Sequence, residues 1–319
     1  MKILLTGSSG WLGRHLAPLL RGEGHAVIGL DVAAGPDTSI VGSVGDRALV
    51  DRLFDTNAFT AVIHAGALHK PDIARYPAQS FVDVNVTGTL SLLEAAVRTS
   101  VERFLFTSTT SLMISTAIRE GRGDAAVWID ESLAPLEPRN IYGVTKLAAE
   151  GLCRLFHQEH GLPVIVLRTG RFFPEEDDTH RALSGENMKA NELLNRRLTV
   201  EDAAAAHVAA LERAPAIGFG TYILSAPTPF SRADLGELKR DAAAVIARLY
   251  PDAAALYAAR GWTLPARIDR VYDAGLAERE LGFKVRMYFA SVLEALRSGK
   301  APPVAHDAGY VSPKERAEN

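Results

Sequence analysis

A tyrosine and a lysine four residues apart, Tyr142 and Lys146, are the side chains in this chain that point most directly to chemistry. Residues at this spacing share one helix face, so the phenol and the ammonium point into one space. The lysine cation favours the phenolate and is expected to lower the tyrosine pKa toward the working range. Such a phenol can take a proton from a substrate hydroxyl as hydride leaves the carbon, or return one to a carbonyl. A Tyr-Lys pair at this spacing also occurs on solvated helix faces. Here the pair lies on the helix after the strand that ends Thr107-Ser108-Thr109, and this position favours a catalytic role instead.

Three glycines, Gly7, Gly10 and Gly13, directly follow an apolar run and open a helical pattern. Glycines there let the backbone turn tightly and approach a pyrophosphate, while the amides at the helix N-terminus face the anion. Asp31 ends the next apolar run, where its carboxylate can accept hydrogen bonds from ribose hydroxyls and repel a 2′-phosphate. The pattern predicts a dinucleotide site that prefers NAD over NADP.

The elements that must position these groups alternate between short apolar strands and amphipathic helices. We predict strands at residues 3–6, 26–31, 61–64, 103–108, 164–168 and 221–224, and helices at 14–23, 48–54, 81–98, 141–160 and 200–213. Alternation of this kind implies right-handed crossovers and a doubly wound parallel α/β sheet, the Rossmann architecture.

The rhythm breaks after Arg168, where residues 174–197 are polar and are predicted to be irregular, which suggests two structural units. We expect a dinucleotide-binding domain over residues 1–170, to which 198–226 returns. A smaller, mostly helical substrate lobe is expected over 171–197 and 227–300, and residues 301–319 are expected to be a loop-like or partly disordered tail. The acidic run at 175–178 is interpreted as a solvated loop.

Composition excludes several classes of function. The chain of 319 residues carries 35 Lys plus Arg against 38 Asp plus Glu, so no global field attracts nucleic acid or anionic lipid. A single cysteine, Cys153, excludes an intrachain disulfide and a multi-cysteine zinc site.

His64 and His207 lie on apolar elements and are interpreted as packing residues, so no metal is assigned. The N-terminus lacks a secretory pattern, and no apolar run is long enough to cross a bilayer; we expect a cytoplasmic protein.

Taken together, these motifs resemble the extended short-chain dehydrogenase/reductases, the NAD-dependent epimerase/dehydratase group, over about residues 1–300. The resemblance is carried by Thr6-Gly7-x-x-Gly10-x-x-Gly13, Asp31, His64-Ala65-Gly66-Ala67, Asn85-Val86-x-Gly88-Thr89, Phe106-Thr107-Ser108-Thr109, Tyr142-x-x-x-Lys146, Arg168, Val200-Glu201-Asp202 with His207, and Tyr272-Asp273 through Glu280-Leu281-Gly282-Phe283.

The resemblance implies specific roles. Tyr142 is the implied catalytic acid/base, and Lys146 is implied to bind the nicotinamide ribose and lower the tyrosine pKa. Thr109 is implied to hydrogen-bond the reacting oxygen, with Ser108 as the fallback if the register slips by one residue. Asn85 is implied to hold local structure beside the cofactor. The implied cofactor-binding set is Gly7, Ser9, Gly10, Trp11, Leu12, Gly13, Asp31, Ser43, Val44, Ala65, Gly66, Ala67, Asn85, Thr107, Tyr142, Lys146 and Arg168.

Departures from the family pattern bear on the substrate. Arg171 stands where sugar-nucleotide 4-epimerases tend to carry an asparagine, and the stretch from Pro174 to Val200 is short. The segment around Arg171 also resembles uronate dehydrogenases, in which a cation could meet a sugar carboxylate; a surface arginine without a ligand is the alternative. The candidate substrate-binding residues are His69, Arg171 and Phe172.

The leading hypothesis is an NAD-dependent sugar epimerase or dehydratase that passes hydride transiently to the cofactor, with Tyr142 moving the proton. The alternative is a simple dehydrogenase of a free sugar or sugar acid. A non-catalytic NAD-binding regulator is a third possibility, against which the intact Thr109, Tyr142 and Lys146 set argues. By family analogy, two chains are expected to dimerise by packing 81–98 and 141–160 into a four-helix bundle.

Overall fold

The computed structural model describes residues 1–174 and 183–303. The acidic run at 175–178 and most of the expected tail lie outside the described residues.

Seven parallel strands form the central sheet, and a small second sheet contains two more. The strands are β1 (Lys2–Thr6), β2 (Ala26–Asp31), β3 (Ile40–Val41), β4 (Ala61–His64), β5 (Arg103–Thr109), β6 (Val127–Ile129), β7 (Val164–Thr169), β8 (Phe219–Leu224) and β9 (Arg270–Tyr272). The large sheet runs β3-β2-β1-β4-β5-β7-β8, while β6 pairs with β9. The order reverses between β1 and β4, which is where doubly wound sheets bind ligands beyond the carboxyl ends of their strands. The predicted fold class is confirmed.

Twelve α-helices accompany these strands in the described ranges. They are α1 (Trp11–Gly22), α2 (Arg47–Thr56), α3 (Ala78–Phe81), α4 (Gly88–Arg98), α5 (Thr116–Arg119), α6 (Ile141–His160), α7 (Gly185–Glu192), α8 (Val200–Ile217), α9 (Leu235–Leu249), α10 (Ala253–Ala259), α11 (Gly275–Leu281) and α12 (Phe289–Arg297). None of the helices in the described part of the chain is long and apolar enough to span a membrane.

The central strands are apolar on both faces because helices cover both sides of the sheet. In β1, Ile3 and Leu5 enter the core cluster that also contains residues of α1 and α8. Leu4, between them, enters the cluster on the other face, which α2, α4 and α6 complete. Successive strand side chains point to opposite faces, so a parallel strand buried on both sides appears as an unbroken apolar run.

The long helix predicted at 81–98 is interrupted. The chain forms the short α3, then a π-helical segment over Val82–Thr87, and only then α4. The widened turn contains Asn85, whose side-chain oxygen accepts from the Leu68 amide at 2.9 Å and whose nitrogen donates to the Leu68 carbonyl at 3.0 Å. A π-turn is a frequent feature of functional sites, and apolar periodicity does not reveal it.

Helix α7 falls in the stretch predicted to be irregular. Its residues are buried although they are mostly polar, since hydrogen bonds replace apolar packing. The side chains of Asn187 and Asn191 both donate to the Thr263 carbonyl, at 3.0 and 2.9 Å, and Glu192 accepts from Arg197 at 2.8 Å. Such a helix has no apolar stripe to detect.

Candidate active site

The glycine turn brings the backbone of β1 against the chain that follows β4. Gly7 has a φ of +75°, and a Cβ there would lie 2.7 Å from the Gly66 amide nitrogen. A Cβ on Gly13 would collide with the Gly7 carbonyl oxygen. Gly10 is the N-cap of α1, which begins with Trp11 and the buried Leu12. The turn is a cradle that only glycine can form, with the first amides of α1 positioned for an anion such as a pyrophosphate.

Asp31 lies beside this cradle at the end of β2. One carboxylate oxygen accepts from the Ser9 amide at 3.0 Å, and the other accepts from the Ala33 amide at 3.0 Å. The Ser9 hydroxyl donates to the Ala33 carbonyl at 2.7 Å. The carboxylate is therefore fixed next to the glycine turn, and each of its oxygens retains a lone pair for a ribose hydroxyl.

Two further loops border the same edge of the sheet. After β4, the Ala65 amide donates to the Thr6 carbonyl at 3.3 Å and the Gly66 amide to the Thr6 hydroxyl at 3.0 Å, with Ala67 next in the chain. After β3, the Ser43 hydroxyl accepts from the Gly45 amide at 3.1 Å. Val44, which follows Ser43, is buried.

Tyr142 enters the site in the first turn of α6. Asn140 caps this helix by accepting from the Gly143 amide at 2.9 Å, and Tyr142 follows, buried. The phenol forms a hydrogen bond with Thr109 at the end of β5. Ser108, the fallback candidate, instead donates its hydroxyl to Glu150 at 2.6 Å. The structure therefore brings Thr109, and not Ser108, to the phenol.

The pKa of Tyr142 differs from the sequence expectation. Burial, reinforced by the carboxylate of Asp72, raises the pKa to about 12, and the hydrogen bond with Thr109 lowers it by less. A phenolate loses its hydration in the protein interior, and that loss exceeds the stabilisation by one hydrogen bond. The expected lowering by Lys146 is not observed here.

Lys146 lies one helical turn further along α6. Its ammonium donates to the Thr107 carbonyl at 2.6 Å and lies 3.9 Å from the centre of the Phe106 ring. Burial lowers the lysine pKa to about 7, although the charge of Glu150 acts to raise it. The Thr107 hydroxyl bonds the His207 ring at 2.8 Å, so Thr107 faces the lysine with its backbone only.

Arg168, expected among the cofactor-binding residues, forms a buried ion pair instead. Its guanidinium donates to both oxygens of Glu150, from Nε to Oε1 at 3.0 Å and from Nη2 to Oε2 at 2.7 Å. The side chains of both residues are only 8% exposed. Arg168 therefore lies in the interior between β7 and α6, where its charge is already matched by a carboxylate.

On the substrate side, His69 contacts Tyr142 with ring centres 5.8 Å apart. A further aromatic neighbour of His69 is Phe173, with ring centres 5.9 Å apart. Phe172 stacks on Phe173 at 4.7 Å but belongs to the main core. Asp72, which accepts from the His69 amide at 2.6 Å, is 3% exposed. Sequence reasoning missed Phe173 and Asp72, since neither has a distinctive spacing.

Arg171 is 23% exposed in its side chain and lies 3.9 Å from the carboxylate of Glu192. Arg196 and Arg197 share that carboxylate. The three neighbouring cations hold the pKa of Glu192 below its ordinary value despite burial. Arg171 is thus part of a charged cluster next to α7, and not a fully solvated arginine.

The interpretation of two histidines as packing residues is confirmed. His64 bonds the hydroxyls of Thr6 and Thr89, at 2.7 and 3.1 Å, and burial lowers its pKa to about 3. His207 bonds the Ala203 carbonyl at 2.7 Å, and burial lowers its pKa to about 4. Within residues 1–174 and 183–303, no group of three His, Cys, Asp or Glu side chains is placed to hold a metal ion.

The amino-acid sequence is similar to a known protein family and to individual enzymes. The model of the NAD dependent epimerase/dehydratase family matches residues 3–222. The uncharacterized UDP-glucose epimerase YtcB of Bacillus subtilis is 32% identical over 186 residues, 53% of this chain and 55% of that protein. The dTDP-glucose 4,6-dehydratase of Actinoplanes is 29% identical over 202 residues, 55% of this chain and 60% of that protein. The chain thus covers less than two thirds of the length of these relatives.

Solved structures share the fold. A short-chain dehydrogenase/reductase superfamily protein from Agrobacterium tumefaciens with bound NAD has a TM-score of 0.65 at 23% identity, over 93% of this chain and 96% of that chain. The UDP-glucose 4-epimerase of Thermotoga maritima has a TM-score of 0.64 at 19% identity, over 94% and 99%. With most of its length matched by the family model, this chain belongs to the NAD-dependent epimerase/dehydratase family.

Proposed function

We propose that this chain is an NAD-dependent epimerase or dehydratase acting on a nucleotide sugar. The observation that carries the proposal is the hydrogen-bonded pair of Tyr142 and Thr109, with Lys146 one turn below, at the carboxyl edge of a sheet that also holds a glycine cradle. Relatives named as UDP-glucose epimerases and dTDP-glucose dehydratases support this substrate class.

The residues at the sheet edge fit a dinucleotide. The turn at Gly7 and Gly13 has no space for a Cβ, and the first amides of α1 can meet a pyrophosphate. Asp31 is fixed beside the turn, where an adenosine ribose would lie. The carboxylate favours NAD, because it repels the additional phosphate of NADP. NAD, when bound, accepts a hydride at its nicotinamide ring and can return it within the same turnover.

The protein's own contribution is the movement of one proton. As hydride leaves the substrate carbon, the hydroxyl proton passes to the oxygen of Tyr142; in the reverse step Tyr142 returns it to the carbonyl. Thr109 holds the phenol oxygen through a hydrogen bond. The raised pKa of Tyr142, about 12, makes the phenolate a strong base. We propose that the ammonium of Lys146, one turn along the helix, stabilises the phenolate when it forms.

We assign substrate contacts to the side of the site formed by His69, Phe173 and Arg171. His69 packs between Tyr142 and Phe173, so a ring bound against the phenol would meet an imidazole and an aromatic edge. Segments 171–197 and 227–300 are proposed to form the substrate lobe around these residues.

The first test measures NAD(H) released on denaturing extensively dialysed protein, followed by turnover of UDP-glucose and dTDP-glucose. We expect close to one cofactor per chain and no net NADH during turnover, and Tyr142→Phe should retain the cofactor while losing turnover. Net NADH formation from free sugars or uronates would instead identify a dehydrogenase. Unimpaired turnover by Tyr142→Phe would contradict the mechanism.

We further propose that two chains pair through α6. Val144 and Leu155 on this helix are 47% and 42% exposed, and Ala148 and Gly151 lie between them on the same face. Apolar and small residues at this spacing suit a second helix packed closely against them. Light scattering of the wild type and of Val144→Lys/Leu155→Lys tests the proposal: we expect a dimer and a monomer. A wild-type monomer would contradict it.

A further inference from the structure

Glu150 is a buried carboxylate on the same helix face as the two candidate catalytic side chains. Tyr142, Lys146 and Glu150 follow each other at intervals of four residues along α6, and all three are buried. Residues at this spacing lie one above the other, with the lysine between the phenol and the carboxylate.

Both oxygens of Glu150 are fixed by partners from the sheet. Ser108 on β5 donates to Oε1 at 2.6 Å, while Arg168 on β7 donates to Oε1 at 3.0 Å and to Oε2 at 2.7 Å. Such a carboxylate has little freedom to rotate, and a bidentate guanidinium matches its charge. The two β-strand ends thus hold one anion against α6.

Within the described part of the chain, the other groups that face Lys146 do not supply a negative charge. From β4, His64 is neutral because burial lowers its pKa to about 3, and from α6, burial raises the pKa of Cys153 so that the thiol stays protonated. From β5, the Thr107 carbonyl and the Phe106 ring contribute dipoles only. Burial lowers the pKa of Lys146, and the charge of Glu150 is the largest effect that raises it.

We propose that Glu150 is a positioning residue for proton transfer: fixed by Ser108 and Arg168, its carboxylate keeps the Lys146 ammonium charged beneath Tyr142. The consequence for turnover rests on the proposed function, but the charge of Lys146 can be measured without any substrate.

The catalytic consequence follows from counting protons. The productive form, phenolate with ammonium, carries as many protons as the unproductive form, phenol with neutral amine, so pH cannot separate them. Their ratio depends on the difference between the pKa values of Lys146 and Tyr142. Removing the charge of Glu150 lowers the lysine pKa and affects the more distant phenol less. The acid limb of the pH profile then moves to lower pH, and the plateau of kcat falls.

The decisive experiment follows the isotope-labelled ε-carbon of Lys146 by NMR across pH, with Lys146→Met to assign the signal. We compare the wild type with Glu150→Gln/Arg168→Met, in which no buried guanidinium is left unpaired. The control is Lys239→Met/Asp269→Asn, which removes a largely buried ion pair between other elements, 2.6 Å between its charged atoms. We expect the Lys146 midpoint to fall by about 1 pH unit or more in the Glu150 variant only.

Two further variants cover the case in which the double substitution does not fold. Glu150→Asp retains the charge and should keep the midpoint closer to the wild-type value than Glu150→Gln does. If the lysine midpoint is the same in every folded variant at position 150, the proposal is wrong, whatever the enzyme's substrate. If the midpoint falls as expected but the protein binds no NAD, the proposed function fails and the assignment of Glu150 as the counter-charge stands.

Discussion

The hydroxyl of Thr109 hydrogen-bonds the phenol of Tyr142, whereas the adjacent Ser108 donates to Glu150 on the same helix. Consecutive residues of β5 thus contact α6 two helical turns apart. Thr109 meets the reacting group, and Ser108 holds the carboxylate that faces the lysine between them. Substitutions at these two positions should therefore have different effects.

Replacing Thr109 by valine should reduce kcat by about 10-fold to 100-fold, because the phenol oxygen loses the hydrogen bond that holds it in place. Ser108→Ala should instead lower the free energy of unfolding by about 1 kcal/mol, with a smaller effect on kcat. Steady-state kinetics and urea unfolding of both variants check this. Equal losses of kcat in the two variants would show that Thr109 has no greater role in turnover than Ser108.

Replacing Tyr142 by phenylalanine should lower kcat by about 100-fold to 10,000-fold, because the variant removes the group that moves the proton and retains the aromatic ring. Cofactor binding should persist, since the glycine cradle and Asp31 are untouched. Turnover and NAD content measured on the same preparation separate the two effects. Loss of NAD from the variant would indicate that the phenol also holds the cofactor.

Asp31→Ala should weaken NAD binding and reduce its advantage over NADP, because the ribose acceptor and the repulsion of the 2′-phosphate disappear together. The variant also frees the amides of Ser9 and Ala33 that the carboxylate now holds. Calorimetric titration with both cofactors measures the ratio. Asp46→Ser is a matched control, because it removes a different carboxylate but keeps a cap for α2. An unchanged ratio in Asp31→Ala would refute the assignment.

Breaking the buried pair of Arg168 and Glu150 from one side should be costly. Arg168→Met leaves a buried carboxylate without its cation, and we expect a loss of about 3–5 kcal/mol in the free energy of unfolding. Arg98→Ala removes an exposed arginine that pairs with Asp51 and Asp55, and should cost much less, because solvent screens an exposed ion pair. Urea unfolding of both variants compares them. Similar losses would mean that burial of the first pair does not matter.

Stability should fall as pH decreases below about 6.5, because His64 and His207 are buried in the neutral form. Their folded-state pKa values are lowered to about 3 and about 4, so between those values and the ordinary histidine pKa the unfolded chain binds more protons. Unfolding at a series of pH values should show this slope, and His207→Gln should reduce it. The control is His160→Gln, which replaces a histidine whose side chain is 40% exposed. A wild-type stability independent of pH from 7 to 5 would exclude this linkage.

The chemistry-bearing motifs and much of the fold are determined by the sequence alone. The predicted strand at 61–64 and the predicted helix at 141–160 have the bounds of β4 and α6 in the structure. These elements are encoded locally: a strand buried on both faces must be apolar throughout, and an amphipathic helix repeats every 3.6 residues. The family and the fold class follow from that order and from the spacing of the glycines and the Tyr-Lys pair.

The assignments that depend on packing were decided only by the tertiary structure. Whether Thr109 or Ser108 meets the phenol, and whether Phe172 or Phe173 faces His69, depends on the ends of strands and on loops where side-chain alternation no longer holds. Helix α7 was undetectable because its burial is balanced by hydrogen bonds and charges from distant segments, as with Glu192 and Arg197. The raised pKa of Tyr142 has the same origin, since the desolvation of a group is set by everything that surrounds it in space.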